Sequence, residues 1–105
     1  MTRQQLSDSL RETFAAGVAL VEIKNKDYAV NNDAFKNFKS SEIAGVSPPR
    51  AILVRVLDKI SRISNLISKP NSVKDETVTD TIVDCINYLA ILKAYLDENG
   101  GEKNV

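Results

Sequence analysis

Apolar residues recur every three or four positions in three stretches of the chain, which is the spacing of one buried face of an α-helix. The first stretch predicts a helix over about residues 4–27, with Thr2 and Gln5 in a capping-box arrangement at its start. Its core face is predicted to be one stripe, made of Leu6, Leu10, Phe14, Val18 and Val21. No stretch alternates with the period of a strand, so the fold class is predicted to be all-α.

The second stretch predicts the least ambiguous helix, over about residues 48–67. Ser47 stands at the cap position and Pro48 at the first helical position, where the missing N–H of proline costs nothing. The predicted core face of this helix comprises Ile52, Leu53, Val56, Leu57, Ile60, Ile63 and Ile67.

The third stretch predicts a helix over about residues 73–97, which Ser72 starts and Gly100-Gly101 stops. Its core face is predicted to contain Val78, Ile82, Cys85, Ile86, Leu89 and Leu96. Three main helices would then make one domain over residues 1–98, followed by a flexible tail over 99–105.

Between the first two helices, residues 29–47 show no sustained period and are rich in Asn, Ser and Lys. This segment is predicted to be a long loop with at most one short helical turn. Loops longer than about 12–15 residues are often lids or binding loops. Phe35 and Phe38 supply apolar side chains with which the loop could fold over another part of the molecule.

The composition limits the chemistry open to the chain. At 105 residues it is one small domain, and 14 basic against 14 acidic residues give no positive surplus for generic nucleic-acid or membrane binding. Histidine is absent, which excludes Ser-His-Asp and Cys-His nucleophiles and the usual histidine metal sites. The single cysteine, Cys85, lies in an apolar run and is expected to be a core residue in a reducing compartment.

No apolar run approaches the ~20 residues that span a membrane, and the N-terminus lacks the apolar core of a signal peptide. A cytoplasmic protein without a membrane partner is therefore expected. A domain of this size also buries only about 65% of its unfolded surface, which favours pairing with further copies.

Three acids, Glu76, Asp80 and Asp84, are spaced by four and fall in one row on the predicted third helix. Like charges at that spacing repel each other by some tenths of a kcal/mol per pair, so a cation is expected beside the row. Either a divalent metal or basic side chains from another helix would satisfy it.

The predicted second helix offers such bases. Arg55, Asp58, Lys59 and Arg62 share an arc of about 100° on its wheel, on the side away from the apolar stripe. A solvated polar face with a local pair between Asp58 and Arg62 explains the same spacing without any ligand.

Residues 22–28, at the end of the first helix, are dense in ionisable and amide groups. Glu22 and Lys26 can form a local pair, which needs no ligand. Alternatively, Lys24 or Lys26 meets a phosphate, Asn25 meets a base or sugar, and Tyr28 stacks or donates a hydrogen bond.

Three blocks carry a family resemblance: KNKDY at 24–28, RVLDKISR at 55–62 and DETVTDTIVDCINY at 75–88. In this order and spacing they resemble the first nucleotide-modification-associated domain family of phages and bacteria, over about residues 20–96. That family is in turn similar to the MazG-like all-α nucleotide pyrophosphohydrolases. The resemblance implies a helical bundle formed on oligomerisation, with a nucleotide or nucleotide-derived molecule as partner and no direct binding of nucleic acid.

The same resemblance implies site residues and a cofactor. Glu76, Asp80 and Asp84 would hold Mg²⁺, and Asp58 with Asp84 would be catalytic. The implied nucleotide-binding residues are Lys24, Asn25, Asp27, Tyr28, Arg55, Lys59, Arg62, Asn87 and Tyr88. The chain departs from the MazG pattern because Asp58 stands alone among bases where those enzymes have a pair of glutamates on the earlier helix.

Three hypotheses result. The first is a Mg²⁺-dependent nucleoside triphosphate pyrophosphohydrolase, in which metal ions polarise the phosphate and activate water. The second is a non-catalytic phage protein in the host cytoplasm that sequesters a cyclic or ADP-ribose-type immune signal of the host. The third is a structural helical module whose polar rows form a salt-bridge ladder between subunits.

Overall fold

A computed structural model describes residues 1–27, 33–69 and 77–100, with the side chains of 25–27 left out of the description. The described residues form helices and no strand, which confirms the all-α class. The α-helices are α1 (Arg3–Asp27), α2 (Lys36–Lys39), α3 (Pro48–Ser68) and α4 (Val78–Glu98), and a 3₁₀ helix spans Ser40–Ala44. Within these ranges, no helix combines the length and the apolar character that crossing a bilayer requires.

The helix starts follow local capping chemistry. At α1 the capping box is confirmed, since the Thr2 N–H donates to Gln5 Oε1 at 2.8 Å and the Gln5 N–H donates to Thr2 Oγ1 at 3.1 Å. At α3, extended Ser47 precedes Pro48 as predicted, but the Ser47 side chain makes no capping hydrogen bond, so the start depends on the proline alone.

The third long helix begins later than predicted. Thr77 has an extended backbone (φ −100°, ψ 153°), and its Oγ1 accepts the Asp80 N–H at 3.0 Å, so α4 starts at Val78. The predicted start at Ser72 lies outside the described residues. At the other end α4 stops at Glu98, and Gly100 takes φ 94° just beyond it.

The prediction of three helices joined by a long loop is wrong for residues 33–47, where α2 and the 3₁₀ helix form. Asp33 organises this segment: its Oδ1 accepts the Phe35 N–H at 3.0 Å and its Oδ2 accepts from Lys39 Nζ at 2.8 Å. Gly45 at φ 75° ends the 3₁₀ helix. Short polar side chains that bond locally to the backbone give no apolar period, so the sequence pattern did not reveal these turns.

α4 occupies the centre of the packing, since both α3 and α1 pack against it, α3 more extensively than α1. Among the described elements α1 contacts α4 alone. Cys85 is confirmed as a buried free thiol. The buried apolar side chains of the described part are Ile52, Val56, Leu66, Val83 and Cys85.

The predicted core face of α1 is wrong for most of its residues. Leu6, Leu10, Phe14 and Val18 are each about half exposed, and among the described side chains of α1 Gly17 is the buried residue. The predicted stripe of α3 is divided: Ile52 and Val56 are buried, whereas Leu53, Leu57, Ile60 and Ile67 remain exposed. The physical reason is that packing against a neighbouring helix covers one side of α1 or α3, and within the described ranges these exposed side chains lie off that side.

Candidate functional site

An ion pair joins α3 to α4. Lys59 Nζ lies 3.5 Å from Asp84 Oδ2. Both side chains are partly exposed to solvent, 22% for Lys59 and 30% for Asp84. Lys59 follows Ile52 and Val56 by seven and three residues, so it shares their α4-facing side of α3. The prediction that the basic row points away from the apolar stripe is therefore wrong at Lys59, and the predicted meeting of bases with the acid row takes place there.

A cavity of about 370 Å³ opens on one side of this pair. Its volume falls within the ~300–1,000 Å³ usual for small-molecule sites. Three cationic side chains and one carboxylate dominate its lining, which consists of Arg55, Asp58, Lys59, Ser61, Arg62 and Tyr88. Because guanidinium groups bind phosphate oxygens in a bidentate manner, this wall suits a phosphate or another anion.

A second, smaller cavity of about 200 Å³ lies between α1, α2 and α4. Its lining is more apolar and contains two amides: Val21, Lys24, Ala34, Asn37, Phe38, Asp84, Asn87, Tyr88 and Ile91. Tyr88 lines both cavities, and the ion pair has Lys59 in the first and Asp84 in the second. We call the two cavities together the Tyr88 groove.

The segment after residue 33 covers part of α4 through two aromatic contacts. Phe35 meets Tyr95 edge to face, with ring centroids 5.2 Å apart and planes at 87°. Phe38 meets Tyr88 similarly, at 6.3 Å and 84°. The expectation that Phe35 and Phe38 fold this segment over another part of the molecule is confirmed, and Phe38 becomes a wall of the second cavity.

Asn87, a predicted nucleotide ligand, also joins two helices. Its Nδ2 donates to the Gly17 carbonyl oxygen at 3.1 Å. A Cβ at position 17 would lie 2.6 Å from Asn87 Oδ1, so a larger residue there would displace the Asn87 side chain from this position. Val21 and Lys24 lie about one and two turns beyond Gly17 on α1, and both line the second cavity. The contact between Gly17 and Asn87 therefore helps to position them beside α4.

The acids predicted to hold metal or to be catalytic do not come together at one place in the described structure. Asp80 is exposed in the first turn of α4 and lines neither cavity, and Glu76 lies outside the described residues. Asp58 lines the first cavity and Asp84 the second. In the described ranges, no three Asp, Glu, Cys or His side chains come together as a metal site.

A fit for Mg²⁺ can be tested at Asp84. A magnesium ion needs oxygen ligands at about 2.0–2.1 Å in octahedral geometry. The Lys59 ammonium already neutralises this carboxylate, and Arg55 and Arg62 add positive charge to the neighbouring cavity. The described residues therefore suit an anion better than a divalent cation.

At the end of α1, Lys24 lines the second cavity, and its predicted contact with a ligand stays a prediction. Asn25 and Asp27 lie in the last turn of α1, but their side chains and all of Tyr28 lie outside the described residues. Sequence reasoning did not assign Ser61, Asn37 or Phe38 to the site. Only Phe38 had a usable signal, as an aromatic residue in an otherwise polar segment.

Comparison of the chain with family models, with curated proteins and with solved structures finds no match. The resemblance drawn from the three sequence blocks therefore stays a hypothesis, and the Tyr88 groove is the feature from which a function can be inferred.

Proposed function

We propose that this protein binds a nucleotide or nucleotide-derived small molecule in the Tyr88 groove and holds it without turnover, as a homo-oligomer. The observation that carries the proposal is the joining of a cationic cavity to an aromatic, amide-bearing cavity at Tyr88. A nucleotide has the same two parts, an anionic phosphate and a flat base with polar edges.

The phosphate end is assigned to the first cavity. Arg55 and Arg62 are seven residues apart on α3, two turns along one face, with Lys59 between them. Because Lys59 is paired with Asp84, the positive excess comes from the two guanidinium groups, which outnumber Asp58, the one carboxylate in this lining. Such a wall favours phosphate oxygens through charge-assisted hydrogen bonds, each worth about 1.5–3 kcal/mol.

The base end is assigned to the second cavity. Phe38 and Tyr88 offer aromatic surface, and base stacking on such side chains contributes ~1–3 kcal/mol per base. Asn37 and Asn87 offer amide groups that can pair with the donors and acceptors of a base edge. At about 200 Å³ this cavity suits a single ring system better than an extended chain.

Binding without hydrolysis is favoured by the position of Lys59. The metal-dependent hypothesis needs Asp84 as a ligand or catalytic group, yet Asp84 is paired with an ammonium. A protein that holds a nucleotide without cleaving it would lower the free concentration of that nucleotide. For a phage chain, as the sequence blocks suggest, the corresponding role is to sequester a nucleotide signal of the host.

The test is a calorimetric titration with ATP, ADP-ribose and a cyclic dinucleotide, each with and without Mg²⁺, together with an assay for released phosphate and pyrophosphate. We expect binding of at least one nucleotide, no Mg²⁺ requirement and no release. Arg62→Gln should weaken binding by about tenfold or more, the effect of ~1.4 kcal/mol. The matched control Arg50→Gln, an exposed arginine of the same helix that lines neither cavity, should not.

Two results would overturn the proposal. Mg²⁺-dependent release abolished by Asp84→Asn would show an enzyme in place of a binding protein. Absence of binding to all three nucleotides at millimolar concentration would leave the structural helical module.

A further inference from the structure

Two rows of large apolar side chains lie outside the interior of the protomer. The α1 stripe consists of Leu6, Leu10, Phe14 and Val18, which are between 47% and 57% exposed. The outer α3 row consists of Leu53, Leu57, Ile60 and Ile67, which are between 40% and 68% exposed. Scattered apolar residues on a surface are normal, but rows of four along one helix mark contact surfaces.

The α1 stripe is uncovered because α1 contacts α4 alone among the described elements. The buried contact is at Gly17, and Leu6 lies eleven residues away, about 16 Å along the helix axis. A helix in a protein owes most of its stability to the packing of its apolar face. The N-terminal half of α1 thus needs a cover that no described part of this protomer provides.

The outer α3 row has the spacing of a helix–helix seam. Leu53, Leu57 and Ile60 are separated by four and then three residues, and Ile67 follows after seven more. This is the alternation of a heptad seam, whose complement is another helix with the same spacing. The seam that packs on α4, through Ile52 and Val56, lies beside it on the same helix.

The exposed surface of the chain is larger than that of a compact monomer. Its accessible area is 8299 Å², against about 5,800 Å² from the scaling for folded monomers of 11.6 kDa. A large obligate homodimer covers about 1,000–2,500 Å² of each copy, so the chain exposes enough surface for such an interface. The radius of gyration, 15.7 Å, likewise exceeds the ~13 Å of a compact chain of this length.

The charge distribution favours a second copy as the cover. The chain has no net charge, so two copies do not repel each other. Near the α1 stripe the charges alternate in sign, with Arg3 and Arg11 against Asp8 and Glu12. Ranges 28–32, 70–76 and 101–105 contain few large apolar residues with which the chain could cover both rows itself.

We propose that a second copy of this chain covers the α1 stripe and the outer α3 row, forming a symmetric homodimer. In such an interface the same surface of both copies meets, so each row has a partner of matching character. The inference deepens the homo-oligomer part of the proposed function by naming the surfaces that meet, and it does not require nucleotide binding.

Sedimentation and light scattering on four proteins test it: wild type, Leu10→Glu in the α1 stripe, Leu57→Glu in the outer α3 row, and Ile43→Glu as control. Ile43 is 93% exposed in the 3₁₀ helix and belongs to neither row, so its variant carries the same chemical change outside the proposed interface. We expect dimers of the wild type and of Ile43→Glu, and self-association weakened at least tenfold in the other two. A monomeric wild type, or a dimer that either row variant leaves intact, would overturn the proposal.

A second measurement covers the case in which a row variant fails to fold. The melting temperature of the wild type should rise with protein concentration, as it does for a protein that dissociates on unfolding. A melting temperature independent of concentration would contradict the homodimer. Nucleotide titrations on the same samples separate the two proposals: a dimer that binds no nucleotide overturns the proposed function alone, and a monomer that binds one overturns the dimer alone.

Discussion

Lys59 Nζ lies 3.5 Å from Asp84 Oδ2, and this pair stands between the two cavities of the Tyr88 groove. The contact brings one base of α3, Lys59, to one acid of α4, Asp84. It also occupies the carboxylate that a metal-dependent mechanism would use. The pair therefore bears on both the packing of α3 against α4 and the choice between binding and hydrolysis.

The first prediction concerns the strength of this pair. Because both side chains keep part of their exposure to water, we expect a coupling free energy of about 1 kcal/mol or less. A double-mutant cycle of Lys59→Met and Asp84→Asn, followed by chemical denaturation, measures it. A coupling of ~3 kcal/mol or more would instead indicate a desolvated internal network.

The second prediction concerns the contact of Gly17 with Asn87. Alanine at position 17 gains about 1 kcal/mol of helix propensity, but its Cβ displaces Asn87 and breaks the 3.1 Å hydrogen bond. Gly17→Ala should therefore change the free energy of unfolding little in the wild type and stabilise the Asn87→Ala variant by about 1 kcal/mol. Equal gains in both backgrounds would show that the close approach does not matter.

The third prediction concerns pH. The hydrogen bond from Lys39 Nζ, joined by that from the Phe35 N–H, lowers the pKa of Asp33 below its ordinary value of 3.8. The same bond to Asp33 raises the pKa of Lys39 above 10.5. The Asp33 contribution to stability is thus present above pH 3.8 and is lost as the pH falls through the folded pKa, whereas that of Lys39 is lost as the pH rises above 10.5.

An NMR titration of the Asp33 carboxyl group checks this. The midpoint should lie below 3.8 in the wild type and rise towards 3.8 in Lys39→Ala, without reaching it because the Phe35 N–H bond persists. The control Lys36→Ala removes a weaker, purely coulombic influence and should move the midpoint less. Equal shifts in both variants would contradict the assigned cause.

The fourth prediction concerns the start of α4. Thr77→Ala removes the acceptor of the Asp80 N–H and should lower the free energy of unfolding by about 1 kcal/mol. Thr79→Ala, two residues on and exposed inside the helix, is the matched control and should be neutral or stabilising. Equal losses from both substitutions would show that Thr77 does not act as the cap.

What could be predicted from the sequence was local. The capping box of Thr2 and Gln5 and the start of α3 at Pro48 follow from neighbouring residues, and both appear as predicted, although the Ser47 side chain makes no capping hydrogen bond. At the start of α4 two cap residues compete, and Ser72 has the same local signal as Thr77. The sequence alone does not say which of them carries the hydrogen bond.

What could not be predicted depends on distant partners. Helical spacing identified the apolar stripe of α1 but not how far it is buried, and Leu10 and Phe14 are about half exposed in the structure. The helical wheel of α3 predicted Lys59 on the polar side, away from the apolar stripe. In the structure α4 packs close enough to α3 for Lys59 to pair with Asp84. Asn37 lines the groove because the chain turns at Asp33, where the Asp33 side chain accepts the Phe35 N–H. The segment has no apolar period, so the sequence pattern did not predict this position.

The most direct test of the central claim is amide chemical-shift mapping of the assigned protein during titration with ADP-ribose, ATP and a cyclic dinucleotide. We predict saturable shifts for at least one of them, concentrated at Arg55, Lys59 and Arg62 on α3 and at Phe38 and Tyr88 around the second cavity. The amide signals of Ile43 and Arg50, two exposed residues that line neither cavity, should not shift. Saturable shifts that cluster away from Tyr88, or the absence of any shift with all three nucleotides, would contradict the account.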